Sequence, residues 1–137
     1  MSDDFFTVLE TASPGTRRGR EIFTALRFNS QGLVPVAAQC ADSGQLLMLA
    51  WMNREALEKT LETGQMVYFS RRRNALWRKG ETSGHYQQLV AMFADCDGDT
   101  LLAKVKQTGP ACHTNRRSCF YLRLDADGAT VTDDSES

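Results

Sequence analysis

The residues best equipped for chemistry crowd into positions 95–119, where D-C-D-G-D at 95–99 is followed by G-P-A-C-H-T-N-R-R-S-C at 109–119. Three of the four cysteines, one of the two histidines and three alternating aspartates fall within these 25 residues. Zinc prefers thiolate and imidazole, so a density this high points to metal binding. Structural zinc sites usually present paired cysteine knuckles, but here fifteen residues separate Cys96 from Cys112 and six separate Cys112 from Cys119. Without a knuckle or an obvious fourth ligand, the three thiols resemble a catalytic site with one position left for water. The plainer alternative makes Cys96 and Cys119 strand residues facing a core, since unpaired cysteine is among the most buried residue types.

The aspartates ask for a different ion. Taken as an extended segment, 95–99 puts Asp95, Asp97 and Asp99 on one face and turns Cys96 to the other. Carboxylate oxygens suit magnesium or calcium and a thiolate suits zinc, so one short stretch could serve two metals. An EF-hand is excluded, because glycine stands fourth in the run and Lys106 occupies the twelfth position, where a bidentate glutamate belongs. A solvated Asp-Gly-Asp turn competes with the metal reading. His113, adjacent to Cys112, could take a proton from a bound water or act as a fourth ligand.

A second constellation is S-R-R-R-N-A-L-W-R-K-G-E-T-S-G-H at 70–85. Arg71, Arg72, Arg73, Arg78 and Lys79 face only one acid, Glu81, while Gly80, Ser83 and Gly84 let backbone amides approach a ligand. Guanidinium forks and small residues together suit phosphate recognition. A basic edge strand that resists aggregation would look the same. His85 either contacts phosphate or satisfies a backbone carbonyl. RNA binding, with Tyr68 and Trp77 as stacking faces, is disfavoured by a net charge of −1 and 9% aromatic content.

The elements that must position these groups can be read from period and turn chemistry. At 137 residues the chain is expected to form one domain over 21–125, with a loosely ordered arm at 1–20 and an acidic tail at 126–137. The first residues lack a signal peptide's pattern and no apolar run reaches membrane-spanning length, so a cytoplasmic protein with reduced thiols and no membrane partner is expected. Residues 33–40 and 45–52 read as a hairpin whose second strand is buried on both faces. Asn53 caps a helix over about 53–63, with Leu57 and Leu61 four apart, Glu55 facing Lys59, and Gly64 ending it. Further strands are predicted at 66–69, 76–77, 87–94, 100–107 and 119–124, with Asp97-Gly98-Asp99 as a turn. The fold class that follows is β-rich α+β, with curved mixed or antiparallel sheets around one principal helix.

Taken together, L-W-R-K-G-E-T-S-G-H at 76–85, D-C-D-G-D-T-L-L-A-K-V-K-Q-T-G-P-A-C-H-T at 95–114 and S-C-F at 118–120 resemble the phosphoribosyl-AMP cyclohydrolases of histidine biosynthesis. The resemblance covers about residues 30–122. Asn115 stands where the family pattern implies glycine, and asparagine tolerates the left-handed backbone such a turn needs. The resemblance implies hydrolytic opening of the adenine ring at N1–C6 by zinc-activated water, the third step of histidine biosynthesis. It implies zinc on Cys96, Cys112 and Cys119, and magnesium on Asp95, Asp97 and Asp99. It also implies a homodimer whose zinc sites are shared, Cys96 coming from one subunit and Cys112 with Cys119 from the other, and a stand-alone form without a fused pyrophosphatase domain. A nucleotide substrate with two phosphates would give the basic stretch and His85 a role, and His113 would be the base. The competing function, from another class, is a small zinc-stabilised nucleic-acid-binding module.

Overall fold

The structure, a computed structural model, describes residues 2–134. In chain order its elements are α1 (Ser2–Leu9), α2 (Ile22–Ala25), β1 (Val34–Cys40), β2 (Leu46–Met52), α3 (Arg54–Thr63), β3 (Val67–Ser70), β4 (Ala75–Arg78), β5 (Gln87–Ala94), β6 (Leu101–Gln107), β7 (Leu122–Asp125) and β8 (Gly128–Val131). The protein is α+β and strand-rich, as its alternating apolar segments and single well-capped helix require.

The central strand is β1, where Val34, Val36, Ala38 and Cys40 are buried and the residues between them are half-buried. It pairs antiparallel with β2 on one side and parallel with β6 on the other, and β6 pairs antiparallel with β5, giving the order β2-β1-β6-β5. Register shifts at Ala38/Gln39 and at Leu89/Ala91 bend the sheet, because an extra residue on one strand locally increases twist. β3 and β4 form a separate hairpin, tied to β5 by the Gln65–Gln88 bridge and by the Leu89 N–H on Gly64 O at 2.8 Å.

Helix α3 starts where Asn53 Oδ1 accepts the Ala56 N–H at 2.8 Å and stops at Gly64, whose φ is +78°. Its buried face carries Ala56, Leu57 and Thr60. Thr60 Oγ1 accepts the Val67 N–H at 2.9 Å and donates to Val67 O at 3.2 Å, so one hydroxyl pins the helix to the start of β3. Leu61, expected on the same face as Leu57, is exposed beside Ile22, Phe23 and Phe93.

Three expectations need correction. β2 is an edge strand with Leu46 and Leu49 exposed, not a strand buried on both faces, because an apolar run alone cannot distinguish sheet centre from sheet edge. The arm expected at 1–20 contains α1, whose Phe5 and Phe6 are buried in the main core; an eight-residue helix is too short to display a convincing period. The last strand does not simply run into a tail from 126, since 128–131 folds back as β8 on β7, pairing Leu122 with Val131 and Asp125 with Gly128. Met1 and residues 135–137, the ends of the expected arm and tail, lie outside the described residues. Among the described residues, no helix is long and apolar enough to cross a membrane.

Candidate metal and substrate site

The chain leaves β6 at Gln107 and folds back over β2. Cys119 N–H donates to Leu47 O at 2.7 Å and Ser118 Oγ donates to Leu46 O at 2.6 Å, which fixes the far end of the loop to the sheet edge. Inside the loop, Ala111 and Cys112 bond Arg117 and Arg116, and the turn closes through Asn115 N–H on Cys112 O at 3.0 Å. Asn115 adopts φ +64°, so the residue that replaces the expected glycine keeps the left-handed turn.

This folding makes Cys112 and Cys119 neighbours close enough to shift each other's ionisation, with the Thr114 hydroxyl donating to Cys112 Sγ at 3.1 Å. Desolvation, then the neighbouring Cys112, pushes the Cys119 thiol up to about 11. For Cys112 desolvation also acts upward, but hydrogen bonds from Thr114 and Cys119 and the charge of Lys79 outweigh it and hold that thiol below its ordinary value. Of the two thiols, Cys112 is therefore the one that ionises more readily. Lys79 reaches across to donate to Ala111 O, and its ammonium is depressed by burial while the two sulfurs act in the opposite direction.

Cys96 is elsewhere. It lies five residues before β6 begins, and Cys112 lies five residues after it ends. A seven-residue strand rises about 20 Å, so β6 holds the two cysteine-bearing loops apart. Among the described residues, the one grouping of three acidic, histidine or cysteine ligand atoms all within 4.8 Å of one another is Asp95, Asp97 and Asp99.

Those carboxylates gather through a turn, not through the alternation of an extended strand. Gly98 N–H bonds Asp95 O at 3.1 Å, Asp95 N–H bonds Thr100 O at 3.0 Å, and Asp95 Oδ1 accepts the Asp99 N–H at 3.0 Å. Desolvation would raise Asp95, but hydrogen bonds from Asp99 and Asp97 overcome it and hold its carboxyl below the usual range; Asp99 is raised, chiefly by its bond with Asp95. Three exposed carboxylates with ligand oxygens within 4.8 Å of one another have the hard donor set that a divalent cation satisfies. Helix α1 supports the turn, because Phe6 packs against Gly98 so closely that a Cβ there would overlap its ring, and Gly98 sits at φ +73°. Gly98→Ala is expected to cost about 2 kcal/mol in thermal unfolding, from the strained backbone and the displaced phenyl ring together.

The basic stretch divides. Arg71, Arg72 and Arg73 lie on the β3–β4 turn, Arg71 stacked over Trp51 at 4.7 Å. Arg78 sits over Tyr86 at 5.6 Å and lines an open cleft of about 580 Å³ with Lys106, Gln88 and Thr108. Lys79 instead turns toward the thiol pair, and the His85 ring lies against Gly109, within three residues of Cys112. His113 is exposed next to Cys112. Sequence reasoning missed Phe6, Gln87 and Gln107, and weighed Tyr68 only as a stacking face, whereas all four brace these loops. The two glutamines carry little signal in the sequence, since Gln87 shares β5 with Gln88 and Gln107 shares β6 with Lys104 and Lys106.

Reactive side chains on loops held by a rigid bent sheet are the arrangement of an enzyme site. Comparison with known proteins makes the class specific. The profile of the phosphoribosyl-AMP cyclohydrolase family matches residues 48–121. The chain is similar to the phosphoribosyl-AMP cyclohydrolase of Alkalilimnicola ehrlichii, at 63% identity over 92% of this chain and 89% of that one. It is similar also to those of Chromohalobacter salexigens, at 60% over 92% and 87%, and of Halorhodospira halophila, at 55% over 90% and 88%. The chain belongs to the phosphoribosyl-AMP cyclohydrolase family and is a hydrolase of histidine biosynthesis.

Proposed function

We propose that this protein opens the adenine ring of phosphoribosyl-AMP by adding water at C6 and breaking the N1–C6 bond. The carrying observation is the Cys112–Cys119 pair, brought together beside Lys79 on the stretch that matches the family profile. A neighbouring thiol pair offers two soft donors and fits zinc, with Cys96 of a second copy completing three; the Asp95, Asp97 and Asp99 oxygens fit magnesium. When bound, zinc would act as a Lewis acid and lower the pKa of a coordinated water.

The chain's own residues do the rest. A ribosyl group on N1 leaves C6 electron-poor, so a C6–O bond forms as water adds there and the N1–C6 bond then breaks. His113 takes the proton water loses and returns it to N1, the leaving nitrogen, in the manner of a general base turned general acid. Lys79 sets positive charge beside the thiolates. Arg71, Arg72, Arg73, Arg78 and His85 are available to the two phosphates, and the four arginines are free of ion pairs to the described acidic residues. The working form in this reading is a cytoplasmic homodimer acting on a nucleotide, with neither nucleic acid nor membrane as partner.

The test is spectroscopic. With zinc and magnesium supplied, phosphoribosyl-AMP should lose its purine absorption as the ring opens, and an unchanged spectrum sinks the proposal. His113→Ala is expected to lower kcat by about 10²- to 10⁴-fold and to remove the acidic limb of its pH profile with zinc still bound; unaltered turnover and profile would rule His113 out as the base.

A further inference from the structure

Two loops meet beside the thiol pair: 79–86, whose Lys79 bonds Ala111 O and whose His85 ring lies on Gly109, and 107–112, with Cys112. A directed chain of side-chain hydrogen bonds joins them from below. Tyr68 Oη, fully buried, donates to Gln87 Oε1 at 2.6 Å. Gln87 is also fully buried, and its Nε2 donates to Gln107 Oε1 at 2.7 Å and to Met48 Sδ at 3.4 Å. Gln107 Nε2 then donates to Thr108 O at 3.1 Å and to His85 O at 3.5 Å.

The chain runs one way from its buried end. The Tyr68 hydroxyl donates to the Gln87 oxygen, which leaves the Gln87 amide N–H for Gln107. Gln107 must then offer oxygen to Gln87 and N–H to the two loop carbonyls. Thr108 N–H on Tyr86 O at 3.0 Å closes the junction. Above it the His85 ring rests on Gly109, where a Cβ would come within 2.7 Å of its Cδ2, and Gly109 holds φ +69°. No buried side-chain polar atom among the described residues is left without a partner, so the chain is complete as it stands.

We propose that Gln107, oriented by Tyr68 and Gln87, is a positioning residue that fixes His85 and the Cys112 loop relative to each other. The inference rests on the reading that this loop pair is the reaction site. It acts through two carbonyls and not through contact with substrate, which separates it from the metal-ligand and phosphate assignments above. Partners of this kind, one layer behind the reacting groups, typically carry effects of about 10- to 100-fold, because misplacement by about 1 Å is enough to lose alignment.

The critical variant is Gln107→Glu, which keeps length and the acceptor for Gln87 but sets a carboxylate oxygen against the His85 and Thr108 carbonyls. The expected result is a fall in kcat on the order of 10²-fold. Hydrogen exchange should quicken in 79–86 and 107–112 together, while β1 and α3 keep their protection. Gln107→Met, losing the bonds without adding repulsion, should fall about 10-fold, and it serves as the test variant if the glutamate form does not fold. Unchanged kcat and exchange in these variants would overturn the proposal, as would exchange rising equally in β1 and α3. A wild-type protein that leaves phosphoribosyl-AMP intact would defeat the functional reading instead. Coupled exchange in the two loops would then stand as its own result.

Discussion

Cys112→Ser should abolish turnover of phosphoribosyl-AMP, by about 10³-fold or more, with loss of bound zinc and little change in the fold. A serine hydroxyl has the size of the thiol but is a hard, essentially un-ionised donor, so the soft pair with Cys119 is destroyed without opening a cavity. Retention of the fold follows from placement. Cys112 lies on the loop beyond β6, which adds only Ala111 to a core built mainly from α1, α2, β1, β2, α3, β3 and β6. The loop itself remains fastened by Ser118 Oγ on Leu46 O and Cys119 N–H on Leu47 O. Chelation of the wild type should behave in the same way, with activity lost and far-ultraviolet circular dichroism retained. A module held together by structural zinc would instead unfold on chelation, so the same titration separates the enzyme from the nucleic-acid-binding alternative.

The parts of this molecule legible in its sequence are those governed by local chemistry. Asn53 and Gly64 bound α3 because a side-chain acceptor and a left-handed glycine act within one turn of themselves. The β1–β2 hairpin is readable because the apolar, β-branched run at 33–40 stops at the turn residues Ala41-Asp42-Ser43-Gly44 and resumes at 45. The carboxylate cluster is visible by composition, and the turn expected at 97–99 is what gathers the three side chains, closed by Asp95, in place of the pleat of an extended segment. Long-range facts were out of reach. That β1 and β6 run parallel depends on which strands meet, and that Lys79 serves the thiol pair depends on a contact across 32 residues. Helix α1 escaped notice because Phe5 and Phe6 sit in a segment too short for periodicity, although Phe6 packs against the turn that holds the aspartates. Gln87 shows the remaining difficulty, since a glutamine inside a strand does not by itself say that it is buried or which partner it meets.

The separation of the thiols leads to the second large effect. Cys96→Ser and Cys112→Ser should each be inactive alone, yet a mixture allowed to exchange subunits should recover about one quarter of wild-type activity. The reasoning rests on the proposed shared site: β6, a seven-residue strand that rises about 20 Å, lies between the Cys96 turn and the Cys112–Cys119 loop, and the proposal draws its three thiols from two copies. In a two-fold dimer each composite site takes Cys96 from one subunit and the pair from its partner. A heterodimer of the two variants then contains one site with both substitutions and one with none. Random pairing makes half of the dimers heterodimers, each with one of its two sites intact, which gives about one quarter of the full activity. Zinc content should return in the same proportion. Exchange verified by native mass spectrometry without any recovery of activity or zinc would show that Cys96 does not complete its neighbour's site, whatever its role in its own chain.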